Sequence, residues 1–335
     1  MSAEKHSAEQ DAANIEKYVE QQQELLEDLF EDGFLNVCYR ELIDGDIRQG
    51  MADLVEGLDE RRLTSSGNEW KGFKSLCLLN PICKLVHQDP FTKHGFDQQN
   101  QHSYAGDPTL LEFIHGAATG SEPPEGTSEI GAKIFEVTTN ASACRGVRKR
   151  TQYMARAIDR LAAQVDAPKI LSLAVGYLDE AGQSKALRER QLGRWLAWDS
   201  EPKNLQEVEQ RYGAIGVESE FSTVRQILAN EEHQEEFDLI FSTGLFDYLQ
   251  QGLAKRLTTK LFGMLRPGGQ LLIAGFPESL TGLGYMECFM NMDLVCRNNS
   301  EMKDLAAGID PAHIQEVRLL DESDDDVLLL RVGKA

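Results

Sequence analysis

The stretch Ile170–Glu180, ILSLAVGYLDE, most constrains how this chain can fold. Its first five residues, Ile170–Ala174, are mostly apolar and predict a buried strand of a parallel sheet. Gly176 then interrupts the run, and a glycine at such a turn lets a ligand approach the backbone closely. The acidic pair Asp179 and Glu180 begins the next turn or helix. The pattern predicts a strand followed by a turn that faces a ligand.

A second short strand, Trp195–Ser200 (WLAWDS), follows later and ends on Asp199. A glycine turn after one strand and an acid after the next is how doubly wound α/β folds build a nucleotide-ribose site. The sequence has neither a G-x-G-x-x-G motif nor a phosphate loop, which argues against a pyrophosphate ligand. These features predict a site for adenosine without phosphates.

Composition bounds the class of protein. The chain has 335 residues, 41% hydrophobic and 27% charged, with a formal net charge of −21. This composition predicts a soluble protein, and the negative net charge argues against nucleic acid or anionic membranes as partners. The N-terminal stretch is polar and acidic, unlike a signal peptide, and the six cysteines lack metal-binding spacing. We therefore expect a cytoplasmic protein with reduced thiols.

The first half of the sequence predicts helices and one polar loop. Apolar residues recur at roughly helical spacing over residues 1–62. The polar stretch His87–Asp107 predicts a surface loop, and Asn140 is the expected N-cap of the last helix before the first strand. The predicted helices after residue 62 are Trp70–Leu79, Thr109–Gly116 and Thr138–Ala167.

The second half predicts strand–helix alternation, as a parallel sheet requires. After the first two strands, the predicted strands are Ala214–Glu220, Phe237–Ser242, Gln270–Phe276 and an antiparallel hairpin of Ile314–Leu320 with Val327–Val332. The predicted helices are Pro202–Tyr212, Ala254–Leu265 and Glu301–Ala307. The fold class is α/β, a Rossmann-like seven-stranded sheet (138–335) with a helical N-terminal cap domain (1–137).

From Thr138 onwards, the motifs ILSLAVGY, WLAWDSEP, FDLIFSTGLFDYL and KLFGMLRPGGQLLIAGF stand in an order that resembles class I S-adenosylmethionine (SAM)-dependent methyltransferases. With HQDPFT, YAGD, CRGVRKR and GYMECFM, the chain resembles bacterial 3-hydroxypalmitate methyl ester biosynthesis methyltransferases. A divergent branch of that group resembles azetidine-2-carboxylic acid synthases, which cyclise SAM itself. The resemblance covers nearly the whole chain from about residue 80.

This sequence departs from the commoner members of that group at three places. Tyr177 stands where a histidine is expected, His102-Ser103 where Arg-Gly is expected, and Asn291-Met292-Asp293 replaces an aromatic pair. These departures favour intramolecular cyclisation of SAM to azetidine-2-carboxylic acid, with release of methylthioadenosine. Methyl transfer to the carboxylate or hydroxyl of a small acid or hydroxy fatty acid is the alternative, and a non-catalytic SAM-binding module is the third.

The resemblance implies an adenosine site at the ends of the second and third strands. Asp199 is expected to accept both ribose hydroxyl hydrogens, with Ser200 beside it. Ser222, Thr223 and Val224 are expected to pack against the adenine. Each has a structural interpretation too: Asp199 as a helix N-cap, the other three as a polar turn.

The methionine end is expected at the first and fourth strands. The residues assigned to it are Ala174, Gly176, Ser242, Thr243, Gly244 and Leu245. Arg145 and Arg148 are expected to bind a carboxylate, because a guanidinium matches it in a bidentate way; a solvated basic face is equally open.

Three residues are expected to act in catalysis. Tyr177 is expected to hold the sulfonium against its ring, with Tyr104 as a second aromatic candidate. Asn140 is expected to orient the amino group through its side-chain oxygen. The structural alternative is a packing role for the two tyrosines and a helix-capping role for Asn140. The apolar segment Tyr285–Met290 is either an acyl channel or core.

No metal and no partner other than a small-molecule substrate is expected. The spacing of His87, His94 and His102 fits no short helical pair of metal ligands. A monomer or a homodimer is expected, bound to neither nucleic acid nor membrane.

Overall fold

A computed structural model describes residues 33–99, 107–320 and 326–335. Tyr104, His102 and part of the helical region predicted over residues 1–62 lie outside the described residues. Among the helices that the structure describes, none has the length and apolar character needed to span a membrane.

Helices build the N-terminal part, as predicted. They are α1 (Phe34–Asp44), α2 (Ile47–Thr64), α3 (Gly67–Leu79), α4 (Pro81–Val86), α5 (Pro90–Gln99), α6 (Pro108–Ala118), α7 (Glu129–Thr138) and α8 (Ser142–Ala162). Capping side chains set several of their starts. Ser66 accepts a hydrogen bond from Glu69 N, and the Glu69 carboxylate accepts one from Ser66 N, which forms a capping box before α3.

The surface loop predicted over His87–Asp107 is wrong where the structure describes it, because α5 occupies that stretch. Asp89 is buried, and its carboxylate accepts hydrogen bonds from Phe91 N at 2.9 Å and Thr92 N at 3.1 Å. Pro90, at the first helical position, lacks the N–H that would be unsatisfied there. A capping acid followed by proline therefore starts a helix inside a polar stretch.

The second half forms a seven-stranded sheet, which confirms the predicted fold class. Its strands are β1 (Lys169–Leu173), β2 (Arg194–Asp199), β3 (Val217–Phe221), β4 (Phe237–Ser242), β5 (Leu265–Gly275), β6 (Ile314–Leu320) and β7 (Leu328–Lys334). The order is β3-β2-β1-β4-β5-β7-β6, with β7 antiparallel to both neighbours. The strand order reverses beside β1, and such switch points hold ligands at the carboxyl ends of the strands.

Helices cover both faces of this sheet. The helices after β1 are α9 (Asp179–Gln183), α10 (Lys185–Arg188), α11 (Pro202–Tyr212), α12 (Val224–Ala229), α13 (Gln251–Met264), α14 (Leu283–Phe289) and α15 (Asn299–Asp304). Of these, α14 packs against the N-terminal helices and not on the sheet. Met154 of α8 and Val208 of α11 pack on one face. Leu257 of α13 and Met302 of α15 pack on the other. The core strands are therefore buried on both sides, which explains their continuous apolar runs.

Two strands, β3 and β5, begin three or more residues away from their predicted starts. A 3-10 turn at Gly213–Ile215 delays β3, and Gly216, with φ of +107°, ends that turn. Strand β5 begins at Leu265 and runs through the Pro267-Gly268-Gly269 stretch, with a register shift against β4.

The apolar core of the N-terminal helices extends into the second half of the chain. Phe276, Leu280 and the residues of α14 pack in the same cluster as Leu54 of α2 and Phe135 of α7. The segment Tyr285–Met290 is thus largely buried against the cap, and Tyr285 and Met290 also line a cavity there. The division at residues 137/138 stays a prediction.

Candidate functional site

A cavity of about 560 Å³, called the chamber below, lies between the helical cap and the carboxyl ends of β1 and β4. Ala174, Thr243 and Gly244 line it on the sheet side. Apolar side chains of the cap form part of the opposite wall: Met51, Val55, Phe91, Leu110, Leu111 and Ile114. The chamber therefore places an apolar wall opposite the ends of two central strands.

The turn after β1 is strained. Ala174, Gly176 and Leu178 have φ angles of +49°, +53° and +56°, and only glycine adopts this left-handed region readily. Strain of this kind persists where the surroundings hold it, often at functional sites. Here Ala174 N donates to Trp198 O at 2.7 Å, which fixes the turn against β2.

Asp199 joins the turn after β1 to the end of β2. It is 1% exposed, and its carboxylate accepts hydrogen bonds from Gly176 N at 3.0 Å and Glu201 N at 2.8 Å. Burial raises the pKa of Asp199, and these amide bonds oppose that rise. The Asn204 side chain and the Ser200 amide also donate to this carboxylate, so donors of the protein hold it at the junction of the two turns.

The predicted adenine residues lie beside Asp199. Ser222 N donates to Asp199 O at 2.9 Å, which brings the end of β3 next to the end of β2. Thr223 is the N-cap of α12, and its hydroxyl accepts from Gln226 N. Its side chain therefore has a capping function as well, and Ser200 stands exposed next to Asp199.

The end of β4 supplies the floor of the chamber. Ser242 is buried, and its hydroxyl has no hydrogen-bond partner in the described part of the chain. Thr243 and Gly244 face the chamber, whereas Leu245 begins a 3-10 turn, Leu245–Tyr248, and is not one of the lining residues.

A buried ion pair that the sequence reasoning did not select fixes this 3-10 turn. Arg150 Nη1 donates to Asp247 Oδ2 at 2.9 Å, with 9% and 1% of the two side chains exposed. The guanidinium carbon lies 4.9 Å from the ring centre of Phe276. Asp247 Oδ1 also accepts from Phe276 N at 2.9 Å. Arg150 is thus the arginine of α8 that reaches the sheet side of the chamber.

A second missed group is Glu180 of α9. It is 4% exposed and lines the chamber next to Thr243. Burial raises the pKa of Glu180 to about 7, and a hydrogen bond with the Thr243 hydroxyl opposes that rise. Glu180 is therefore a carboxyl group that titrates near neutral pH at the polar end of the chamber.

The two arginines expected to bind a carboxylate both have protein partners. Arg145 Nη2 and Nε donate to the two carboxylate oxygens of Asp326, at 2.8 and 3.1 Å. Arg148 Nη1 donates to the carbonyl oxygens of Ile114 and Thr139, at 2.9 and 2.8 Å. Arg145 lines the chamber, and Arg148 ties α8 to α6 instead.

Of the two described residues expected to act in catalysis, Asn140 lines the chamber and Tyr177 does not. Tyr177 is not one of the chamber-lining residues, and the Arg211 guanidinium lies 4.6 Å from its ring centre. Asn140 does line the chamber, but the N-cap prediction is wrong: Ala141 is the N-cap of α8, and Asn140 Nδ2 donates to Glu136 O at 2.8 Å. Tyr104 lies outside the described residues.

Two of the three histidines weighed as metal ligands lie in the described residues, and both have other partners. His87 Nε2 lies 2.8 Å from Phe289 O, and His94 Nε2 lies 2.9 Å from Asp107 Oδ1. In the described residues, no group of three or more His, Cys, Asp or Glu side chains is arranged to hold a metal ion.

Comparison with known proteins supports the fold alone. No protein-family model and no curated protein matches the chain. A possible exported protein from Bordetella parapertussis matches with a TM-score of 0.53 and 14% identity, over 67% of this chain and 79% of that one. The CurJ carbon methyltransferase matches with a TM-score of 0.46 and 12% identity, over 68% and 66%. Magnesium protoporphyrin IX methyltransferase from Synechocystis, with bound S-adenosylhomocysteine, matches with a TM-score of 0.42 and 12% identity, over 57% and 87%.

Proposed function

We propose that this chain is a SAM-dependent methyltransferase that acts on the hydroxyl or carboxylate of a small acid or hydroxy fatty acid. The chamber is the observation that carries this proposal. Its volume of about 560 Å³ and its apolar cap wall offer room for an acceptor with an apolar body beside the ends of β1 and β4. Ligand pockets of this size and character typically hold small molecules.

SAM fits the residues at the carboxyl edge of the sheet. Asp199 ends β2 where a ribose would lie, and Ser222 lies beside it for the adenosine end. Ala174 and Gly244 line the chamber where the methionine end would lie, and the Glu180 carboxylate is a partner for its ammonium group. The sequence has no phosphate loop, which agrees with a nucleoside ligand.

When bound, SAM supplies an electrophilic methyl group. The protein then contributes position and the exclusion of water, which the cap and the apolar wall provide. A carboxylate acceptor needs no base, whereas a hydroxyl acceptor must lose its proton.

Cyclisation of SAM to azetidine-2-carboxylic acid is the second candidate, and Glu180 is the observation that favours it. A neutral amine must attack, and a carboxyl group with a pKa of about 7 is suited to take a proton from the ammonium group. Asn140, expected to orient the amino group, also lines the chamber. Tyr177 supports this candidate less, since it lies outside the chamber lining beside the cationic Arg211. A non-catalytic SAM-binding module is the remaining alternative.

The nucleoside product distinguishes these functions. Purified protein is incubated with SAM alone, and then with SAM plus a panel of alkanoic and 3-hydroxyalkanoic acids, and the products are identified by mass spectrometry. We expect S-adenosylhomocysteine only when an acid is present. Methylthioadenosine and a four-membered-ring amino acid from SAM alone would establish cyclisation instead. No turnover in either condition would support the non-catalytic SAM-binding module.

The same assay on Val55→Phe tests whether the chamber holds the acceptor. Val55 lines the cap wall and is only partly buried, so a larger side chain projects into the space. We expect acceptor-dependent turnover to fall at least tenfold, by about 1.4 kcal/mol or more in transition-state stabilisation, with SAM affinity unchanged. Unchanged turnover in a variant with unchanged melting temperature would place the acceptor elsewhere.

A further inference from the structure

His115 and Asp179 meet across the chamber from the two halves of the protein. His115 lies on α6 of the cap, and Asp179 is the first residue of α9, after the strained turn. His115 Nε2 lies 3.5 Å from Asp179 Oδ2, and both residues line the chamber. Among the described residues, His115 Nε2 is buried without a hydrogen-bond partner. The pair is thus within ion-pair distance without forming a hydrogen bond, and the contacts of catalytic pairs often tighten only when the substrate binds.

The surroundings of His115 keep its imidazole neutral. Burial lowers the pKa of His115, and the positive charges of Arg148 and Arg150 on α8 lower it further. The negative charge of Asp179 raises this pKa and so opposes both effects. Glu180 lies next to Asp179 on α9 and faces the same chamber. A neutral imidazole near neutral pH can accept a proton, and a carboxylate beside it stabilises the imidazolium that results.

The charges of the chamber wall disfavour a carboxylate at this end. Each arginine of the described wall already contacts a carboxylate: Arg48 with Glu136, Arg145 with Asp326 and Arg150 with Asp247. Asp179 and Glu180 add acidic groups there. An anionic acceptor group would meet like charges without a free cation in this part of the wall, whereas a neutral hydroxyl would not.

We propose that His115, oriented by Asp179, is the catalytic base that takes the proton from an acceptor hydroxyl. This inference rests on the proposed methyl transfer and names its acceptor group. Nε2 of His115 carries the hydrogen that faces Asp179, and the acceptor O–H bond breaks as Nδ1 of the imidazole takes the proton. The acceptor oxygen bonds to the methyl carbon of SAM, and the carbon–sulfur bond breaks with its electron pair moving to sulfur. The products are a methyl ether, S-adenosylhomocysteine and an imidazolium paired with Asp179.

The test compares His115→Gln with His313→Gln, which makes the same change at an exposed histidine. The probes are long-chain 3-hydroxyalkanoic acids and the matched alkanoic acids, and mass spectrometry separates methyl ethers from methyl esters. We expect ether formation by wild type and His313→Gln, and a 10²- to 10⁴-fold lower kcat for His115→Gln, as for loss of a general base. SAM affinity, measured by calorimetry, should be the same in all three proteins.

Asp179 acts as a positioning residue, and the pH profile distinguishes this role from a structural one. In wild type we expect kcat to rise with pH through one ionisation, which His115→Gln removes. Asp179→Asn should lower kcat with little change in KM and shift this ionisation to lower pH, because the imidazolium loses its partner. Asp179→Glu should restore part of the rate.

The outcomes separate this inference from the function on which it rests. Esters formed at the same rate by wild type and His115→Gln would overturn the role of His115 and leave methyl transfer standing. Ether formation undiminished in His115→Gln would overturn it too. Absence of S-adenosylhomocysteine with every acid would overturn both.

Discussion

Replacing Arg150 with methionine is expected to lower the free energy of unfolding by about 3–5 kcal/mol, because it leaves the Asp247 carboxylate buried without its cation. Asp247 is 1% exposed, and its other oxygen accepts from Phe276 N. Methionine keeps most of the apolar length of the arginine, so the loss reports mainly the charge. Urea unfolding at neutral pH without ligand measures it.

Two further variants isolate the ion pair. Arg156→Met makes the same change on an exposed position of the same helix, and we expect it to cost less than about 0.5 kcal/mol. Arg150→Met with Asp247→Asn removes both charges, and the asparagine oxygen can still accept from Phe276 N. We expect the double variant to be more stable than the single one by about 1 kcal/mol or more. Equal losses in the Arg150 and Arg156 variants would contradict the account.

Glu180 is expected to make the stability of the fold fall as pH rises towards neutral. Its pKa is raised by burial from 4.5 to about 7 in the folded protein, so between these values the folded state binds more proton than the unfolded state. The free energy of unfolding therefore decreases with pH in this window, by roughly 3 kcal/mol in all from this group. Glu180→Gln lacks this ionisation. As pH rises from about 4.5 to about 8, its free energy of unfolding should therefore increase relative to that of wild type by the same amount.

Urea unfolding of wild type and Glu180→Gln at both pH values measures this difference, in which the other titrating groups cancel. Glu209→Gln, at an exposed position of α11, is the matched control and should show the same pH dependence as wild type. If the difference in unfolding free energy between wild type and Glu180→Gln does not change with pH, Glu180 is solvated like an ordinary surface carboxyl.

Much of the sheet could be predicted from the sequence, because its central strands are buried on both faces. Strand β4 was predicted at Phe237–Ser242 and has those bounds, with every residue buried. Continuous apolar runs are a strong local signal. Strand β6 also spans Ile314–Leu320 as predicted, although it is an edge strand and mostly not buried. The order of the strands in the sheet was not predicted.

Two local signals were present and not used. Asp89-Pro90 before α5 is a capping pair, and the polar composition of the following residues hid it. Arg150 lies three residues after Val147 and four before Met154, both buried, so the helical period places it on the apolar face of α8. The same period places Arg145, which was selected instead, on the opposite side.

The polar end of the chamber could not be predicted from the sequence. His115 and Asp179 are far apart in the chain and belong to different layers of the fold, so only the tertiary structure brings them together. The raised pKa of Glu180 likewise depends on its burial in the folded protein, to which a single acidic residue in a sequence gives no clue.

Calorimetric titration of SAM into wild type and Asp199→Ala tests the central claim most directly. We predict one SAM per chain, and at least tenfold weaker binding to the variant, since hydrogen bonds to a charged group contribute about 1.5–3 kcal/mol. Asp304→Ala, on α15, is the matched control and should bind SAM as wild type does. No binding of SAM to the wild-type protein, or equal affinity in wild type and Asp199→Ala, would contradict the account.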